Sequence, residues 1–495
     1  MPFILSIGAA IAIIAYLLLQ LILHTTQDAR EPRLVESKLP FCDSIIGIAK
    51  QRAGYLVGLS NRFHLPIQTL RMPFQRLYVV HEPYLIQKIQ SKASAQTFVP
   101  NLLDFGMLFS GLNTESQSTL RRGFGSHGNG FTMSVHKYLL SGDSLKIATK
   151  AAVERLTSGL PNSTHSIRGG LQEIVRHELT LAMTGAIYGP ENPYDDPVIE
   201  ESWGTFVPGI SHLLYSPVPS LTARKALRAR SRIVCAFKKY FETGGHLQAF
   251  PMIPEMHEIN KGHGLSTEEA AKMEMATSLA MLSSGAVTAF WLLFHLFSDK
   301  SLTVSVREEL SSVTEISSLE KVKIVNLSTV RDRCPTLVAV LNETLRYHST
   351  VINIKQVQHD TTLDGQYLLK KNGIVMIPGQ SVHHNQDIWG ATADTFDHQR
   401  FLSSNSRKNL SSTSAFRPFG AGATMCPGRH FSTNVILSLA TMVLLKFDVS
   451  PSDGEWQEPT KRNADMWNAM PKPDQDIDVE FVPRGEEQAG WKFVW

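Results

Sequence analysis

One cysteine, set in a short loop rich in glycine, constrains this chain more than any other feature. The stretch AFRPFGAGATMCPGRHFS places Phe419, Gly422, Cys426 and Gly428 in the spacing F-x-x-G-x-x-x-C-x-G. Glycines allow the backbone to approach a flat ligand closely. An apolar helical pattern starts directly after the cysteine, with Pro427 suited to its first position, and the positive end of such a helix stabilises a thiolate. The glycines and the helix start make Cys426 a candidate metal-ligating thiolate, for which a structural cysteine in a turn is the alternative.

Composition narrows the class of protein. The other cysteines, at positions 42, 235 and 334, form no C-x-x-C pair, so neither a zinc site nor a disulfide framework is expected and a reducing compartment fits best. With 43% hydrophobic and 19% charged residues, the chain has the composition of a globular protein. A net charge of +3 does not mark a nucleic-acid-binding protein, so no nucleic-acid partner is expected.

The amino terminus predicts a transmembrane anchor over residues 1–24. Residues 3–23 read FILSIGAAIAIIAYLLLQLIL, carry no charge and are long enough to span a bilayer as a helix. A cleaved signal peptide is the alternative, although no basic residue precedes the run and the run is too long for the apolar part of such a peptide. Arg30, Arg33 and Lys38 follow the span, so the positive-inside rule places the rest of the chain in the cytosol.

The remainder of the chain predicts a linker followed by one large domain. Residues 25–45 contain charges and two prolines and are predicted to be the linker, and residues 46–495 show no second linker. Helical patterns dominate this domain, with strands expected near 67–80 and 350–380. The predicted fold class is therefore mainly α with small β-sheets.

Two helices within this domain draw attention. The first opens at Ser266, where Glu269 completes a capping box, and runs to about Ser298 without a strong breaker. Because it is apolar nearly all round, it should cross the middle of the protein. The second reads LVAVLNETLRYH and places Glu343 and Arg346 three residues apart on one helix face. Their apolar neighbours indicate a buried ion pair with a structural role.

The cysteine loop and the E-x-x-R pair together resemble the cytochrome P450 family. Cys426 lies 83 residues after Glu343 (426 − 343), as in that family, and the resemblance covers residues 40–495. It implies a single haem domain of the cytochrome P450 fold behind the transmembrane helix. It also implies haem b (iron protoporphyrin IX) as the cofactor, with Cys426 as the axial ligand of the iron.

The details of the loop add to this resemblance. Phe419, Gly422 and Gly428 would shape the loop against the haem, with the ring of Phe419 shielding the sulfur. The amides of Gly428 and Arg429 would donate hydrogen bonds to the sulfur, since Pro427 has no N–H. The variant FGAGATMCPGR is similar to the branch of cholesterol 7-alpha-hydroxylase and prostacyclin synthase and to fungal secondary-metabolism members of the family.

In this chain, several motifs that supply cations to the haem propionates and to the E-x-x-R glutamate depart from the usual pattern of the family. Thr424 stands where the family usually has Arg or His as a partner for a haem propionate. The resemblance assigns propionate contacts to Lys355, for which a surface-strand lysine is the alternative, and to Arg121 in a degraded W-x-x-x-R motif. The second arginine of the E-x-x-R charge cluster corresponds to Arg400 in FDHQRF, where His398 replaces the usual proline.

The long apolar helix should pass over the other face of the haem. The family pattern A/G-G-x-D/E-T-T appears at residues 284–289 as SGAVTA. Gly285 would leave room for dioxygen, and Thr288 would be the catalytic residue that passes protons to it. A threonine bonded to a carbonyl of its own helix is the alternative for Thr288. Val287 replaces the usual acid, so water and Thr288 would have to supply the protons, unless no external dioxygen is used.

The resemblance implies a monooxygenase that hydroxylates or otherwise oxidises a lipophilic small molecule, such as a steroid, terpenoid or alkaloid, in fungal secondary-metabolite biosynthesis. Electrons would come from NADPH through NADPH–cytochrome P450 reductase, and the single-pass anchor would lie in the endoplasmic reticulum membrane. One alternative is a haem-thiolate isomerase or dehydratase that acts without a reductase. Another is a membrane haem sensor without catalysis, against which the residues over the haem argue.

Overall fold

The computed structural model describes residues 2–35, 38–100, 106–107, 109–124, 129–160, 166–216, 218–317, 322–402, 415–422, 425–465, 467–484 and 490–495. Its helices are α1 (Pro2–Thr25), α2 (Asp43–Gln51), α3 (Ala53–Phe63), α4 (Pro83–Gln90), α5 (Thr114–Phe124), α6 (Asn129–Leu139), α7 (Gly142–Gly159), α8 (Leu171–Tyr188), α9 (Pro197–Tyr215), α10 (Pro219–Thr222), α11 (Arg224–Glu242), α12 (Met252–Gly262), α13 (Thr267–Leu282), α14 (Gly285–Ser298), α15 (Lys300–Ser312), α16 (Val330–Arg333), α17 (Pro335–His348), α18 (Gly379–His383), α19 (Gln386–Trp389) and α20 (Arg429–Lys446). Its strands are β1 (Ile67–Met72), β2 (Gln75–Val80), β3 (Phe98–Pro100), β4 (Ile167–Gly170), β5 (Thr314–Ser317), β6 (Val322–Asn326), β7 (Ile352–Val357), β8 (Thr361–Leu363), β9 (Tyr367–Leu369), β10 (Ile374–Pro378), β11 (Phe447–Pro451), β12 (Asp478–Pro483) and β13 (Gly490–Val494).

The strands form small sheets beside a large helical body. A five-stranded sheet has the order β1-β2-β10-β7-β3, in which β2 and β10 run parallel and the other neighbours antiparallel. Two three-stranded sheets, β11-β12-β4 and β13-β6-β5, and the hairpin β8-β9 lie elsewhere in the described chain. The predicted mainly helical class with small β-sheets is confirmed. The strands outside the two predicted regions were not predicted, although β11 shows the alternating burial that is typical of a strand with one face on the core.

The helices α13 and α14 run through the core. The hydroxyl of Ser266 accepts a hydrogen bond from the Glu269 N–H at 3.2 Å, which confirms the predicted start of α13. In α14, every residue from Gly285 to Phe297 is buried. Within the described residues, Thr267–Ser298 is the helical stretch long and apolar enough to cross a membrane, but most of it is buried, as in the core helix of a globular domain.

The predicted continuous helix is interrupted in its middle. α13 ends at Leu282 and α14 begins at Gly285, so Ser283 and Ser284 belong to neither. The side chain of Asn468 bonds to both: its Oδ1 accepts from the Ser284 hydroxyl at 2.9 Å, and its amide donates to the Ser283 carbonyl at 3.3 Å. A side chain inserted into the hydrogen-bond ladder is a known cause of such a break. The expectation of an unbroken helix was therefore wrong.

Two helix starts differ from the sequence-based expectation. α20 begins at Arg429, two residues after Pro427, and the amides of Gly428 and Arg429 at this helix start are directed to the cysteine sulfur. α17 begins at Pro335, two residues before its predicted start, since proline is favoured at the first helical position.

The described part of the predicted linker is attached to the sheet. A parallel bridge joins Leu34 to Thr69 of β1. Glu31 is buried, and its carboxylate lies 3.0 Å from Nε of Arg76 on β2. Residues 26–35 thus contact the edge of the five-stranded sheet directly.

Candidate functional site

Two backbone hydrogen bonds close the loop that carries Cys426. The Cys426 N–H donates to the Phe419 carbonyl at 2.8 Å, and the Met425 N–H donates to the Gly422 carbonyl at 3.1 Å. Gly422 has a φ of +66°, and a Cβ at this position would lie 3.1 Å from the Gln90 carbonyl oxygen. Backbone conformation and close approach both require glycine here. The spacing of the motif therefore sets the position of the cysteine.

The electrostatics of the loop suit a sulfur ligand. Burial raises the pKa of the Cys426 thiol, whereas hydrogen bonds from the Gly428 and Arg429 amides and the charge of Arg429 lower this pKa. Arg429 Nη1 also donates to the Cys426 carbonyl at 3.0 Å, which holds the cation beside the loop. A Cβ added to Gly428 would meet no heavy atom within 4 Å, so the loop is open on this side. A bound metal cation would stabilise the thiolate further.

Glu343 and Arg346 form a fully buried ion pair on α17. Both side chains have 0% exposure, and two hydrogen bonds of 2.7 Å join the guanidinium to the carboxylate. Arg346 Nη1 also donates to the carbonyls of His383 and Ala393 at 2.6 and 2.8 Å. Arg400 Nε lies 3.4 Å from Glu343 Oε1. The structure thus brings the three predicted charges together, with the opposite charges that burial demands.

A second pair of cations lies on β7 and in the cysteine loop. Lys355 is 6% exposed and donates to the Phe98 carbonyl at 3.4 Å, so it is not a surface lysine. Arg417, which the sequence analysis missed, is fully buried and donates through Nη2 to Asn353 Oδ1. Burial lowers the pKa of Lys355, as does the nearby charge of Arg417. Burial also lowers the pKa of Arg417 to about 10.

The propionate contact assigned to Arg121 stays a prediction. Arg121 lies exposed on α5. Thr424, where the family usually has a cation, lies outside the described residues.

Thr288 lies in the first turn of α14 and is 3% exposed. Its Oγ1 donates to the Ser284 carbonyl at 2.8 Å, as expected of a threonine bonded to its own helix. A Cβ on Gly285 would lie 3.5 Å from Ser432 Oγ of α20, so this glycine faces helix packing and not open room for dioxygen. Val287 is buried, 5% exposed.

Sequence comparison places the chain among known proteins. The family model described as Cytochrome P450 matches residues 252–477. The cytochrome P450 monooxygenase nodJ of Hypoxylon pulicicidum is 30% identical over 479 residues, which cover 94% of this chain and 92% of the relative. A cytochrome P450 monooxygenase of Gibberella zeae is 26% identical over 493 residues, covering 95% and 92%. Cholesterol 7-alpha-monooxygenase of Cricetulus griseus is 28% identical over 202 residues, covering 37% and 38%.

The matched segments include the residues of the candidate site. The family model spans α14, the E-x-x-R pair and the cysteine loop, and the similarity to nodJ extends over almost the whole chain. The chain therefore belongs to the cytochrome P450 family and is an enzyme of its monooxygenase type.

Proposed function

We propose that this enzyme oxidises a lipophilic small molecule, a steroid, terpenoid or alkaloid, in a fungal secondary-metabolite pathway. The thiol of Cys426, with two amides directed at it and open space beside Gly428, is the observation that carries the proposal. Similarity to two fungal monooxygenases over more than nine-tenths of the chain supports the fungal context. Similarity to cholesterol 7-alpha-monooxygenase over part of the chain supports a sterol-like substrate.

The residues present suit haem b. Cys426 offers a sulfur ligand, and hydrogen bonds from the Gly428 and Arg429 amides can stabilise the negative charge of its thiolate. Gly428 lacks a side chain where a flat ring would have to approach the loop, and its Cβ position is open. Phe419 packs partly buried against the main core and supplies an apolar ring in the same loop.

The haem, when bound, supplies dioxygen activation with electrons that a reductase takes from NADPH. The chain supplies the surroundings. Cys426 would hold the haem iron through its Sγ atom. Val287 has no proton to give, so proton delivery through α14 depends on Thr288 Oγ1 and on water. The Thr288 proton is directed to the Ser284 carbonyl, so the hydroxyl must rotate away from this carbonyl before it can donate elsewhere.

Thr288→Ala tests this role. The variant should consume NADPH in the presence of reductase at a rate close to that of the parent, but the electrons should appear as hydrogen peroxide instead of oxidised product. Loss of one positioned proton donor typically costs about 10²–10⁴ in rate. Thr277→Ala is a matched control, because Thr277 is also buried and bonds back to the Met273 carbonyl, at 3.1 Å. Full coupling in Thr288→Ala would exclude Thr288 as the donor.

Val287 also favours a second candidate function. A haem-thiolate isomerase or dehydratase that rearranges an already oxygenated substrate needs no acid over the haem and no reductase. The same assay separates the two functions: product formation by the parent enzyme that is independent of NADPH and reductase would establish the isomerase and exclude the monooxygenase.

We infer further that α1 anchors the enzyme in the endoplasmic reticulum membrane, with the haem domain in the cytosol. Many large apolar side chains between Ile11 and Ile22 are exposed, and exposed apolar surface of this kind marks a membrane or partner contact. The full chain should sediment with microsomes after a carbonate wash, whereas a chain lacking residues 2–24 should not. Recovery of the full chain in the supernatant would disprove the anchor.

A further inference from the structure

Arg417 and Lys355 form a buried pair of like charges. Arg417 has no exposed surface, and its Nε and Nη1 have no hydrogen-bond partner in the described part of the chain. Among the described residues, the groups that shift the pKa of either cation include no carboxylate. A buried, unpaired guanidinium is costly, and a second cation beside it adds repulsion. The pair therefore calls for an anion.

The backbone fixes where this pair lies. The Arg417 N–H donates to Nε2 of His383 at 3.0 Å, and its side chain reaches Asn353. Asn353 and Lys355 are two residues apart on β7 and so project from the same face of the sheet. Burial holds the pKa of His383 well below its usual range, so this histidine is neutral and adds no charge of either sign. Arg417, in the segment that leads to Cys426, thus lies against the face of β7 that carries Lys355.

We propose that Arg417 and Lys355 together bind one carboxylate, a propionate of the haem, and provide the positive charge that is missing at Thr424. This inference rests on the proposed binding of haem at Cys426. Arg417 has two unpartnered nitrogens for such a group, and hydrogen bonds between a guanidinium and a carboxylate are among the stronger ones in proteins. A substrate carboxylate has the same chemistry, and the experiment below distinguishes the two sources.

The test measures how fast the haem leaves the protein. Protein prepared without haem is reconstituted with haem or with haem dimethyl ester, and transfer to excess apomyoglobin is followed. Arg417→Met should release haem about 10- to 100-fold faster than the parent, as expected for loss of a hydrogen bond to a charged group. Arg417→Lys should recover part of the difference. With the dimethyl ester, all three proteins should release at the same rate.

Two further variants serve as a control and as a replacement. Arg230→Met is a control, because burial lowers the pKa of Arg230 as it lowers that of Arg417, although Arg230 is only partly buried and donates to the Phe109 carbonyl. It should release haem like the parent. If Arg417→Met does not fold, Lys355→Met carries the same expectation of faster release for haem and unchanged release for the ester.

Several outcomes would overturn the inference. Release of haem at the parent rate by Arg417→Met, or by Lys355→Met in its place, would exclude the propionate contact. Parent-rate release of both haem and ester would leave a substrate carboxylate as the anion that the pair binds. Faster release of haem and ester alike would point to a general structural role. Failure of the underlying function looks different: the parent protein itself would then lack the carbon-monoxide band of thiolate-ligated ferrous haem.

Discussion

Glu274 should make this enzyme less stable as the pH rises from 5 to 8. Its carboxyl is 1% exposed on α13 and accepts a hydrogen bond from the Tyr188 hydroxyl at 2.9 Å. Burial raises the pKa of Glu274 to about 7, and the bond from Tyr188 offsets only part of this rise. A carboxyl with a raised pKa binds its proton more tightly in the folded protein than in the unfolded chain. Its contribution to stability is therefore complete below about pH 4.5 and is lost as the pH rises through 7.

The size of the effect follows from the shift. One pKa unit corresponds to about 1.4 kcal/mol, so ionisation of Glu274 withdraws about 3 kcal/mol at high pH. Most of this loss, roughly 2–3 kcal/mol, falls between pH 5 and pH 8. At about 2 cal/mol/K of unfolding entropy per residue, this corresponds to roughly 2–3 °C in Tm for a chain of this size.

Glu274→Gln removes the charge and keeps an oxygen that can accept from Tyr188. The Tm of the variant minus that of the parent should rise by roughly 2–3 °C from pH 5 to pH 8. Glu268→Gln, at a side chain that is 53% exposed on the same helix, should show no such rise. Thermal unfolding followed by circular dichroism on the same haem-loaded preparations gives both differences. Parallel curves for Glu274→Gln and the parent would refute the reasoning.

Further predictions concern the haem ligand, the charge cluster and the helix break. Cys426→Ser should lack the carbon-monoxide band of thiolate-ligated ferrous haem, and a retained band would assign another ligand. Arg346→Ala should yield no folded, haem-loaded protein, because it leaves the Glu343 carboxylate buried without its main partner, at a cost of about 3–5 kcal/mol; normal haem content would contradict this. Asn468→Ala should lower stability by about 1–3 kcal/mol in thermal unfolding, since it leaves the Ser283 carbonyl unpaired; an unchanged Tm would show that water replaces the side chain.

The parts of the site that the sequence predicts are those encoded over short distances. The E-x-x-R pair lies within one turn of α17, and the cysteine loop closes through bonds between Phe419 and Cys426. Helix periodicity and glycine conformation are enough to read such features. The identity of the family follows from the same residues.

The parts that the sequence analysis missed depend on residues far apart in the chain. Asn468 bonds to Ser284 across 184 positions, and Arg417 bonds to Asn353 across 64. No pattern along the helix shows that a distant amide will interrupt it, because neither a proline nor a strong breaker is present. In the sequence alone, Arg417 is an ordinary loop arginine, and only the fold shows that it is buried beside Lys355.

If α1 is held in a bilayer as proposed, the attachment of the chain just after this helix limits how the haem domain can move. The Thr26 carbonyl accepts a hydrogen bond from Arg76 at 2.8 Å, and the Thr26 hydroxyl accepts one from Arg71 at 3.1 Å, directly after the last residue of α1. A flexible tether would let the domain turn freely and present any of its faces to the lipid. Here there is almost no free chain, so a helix held in the bilayer would keep one face of the domain towards the membrane. Lipophilic substrates dissolved in the bilayer would then always approach the enzyme from the same side.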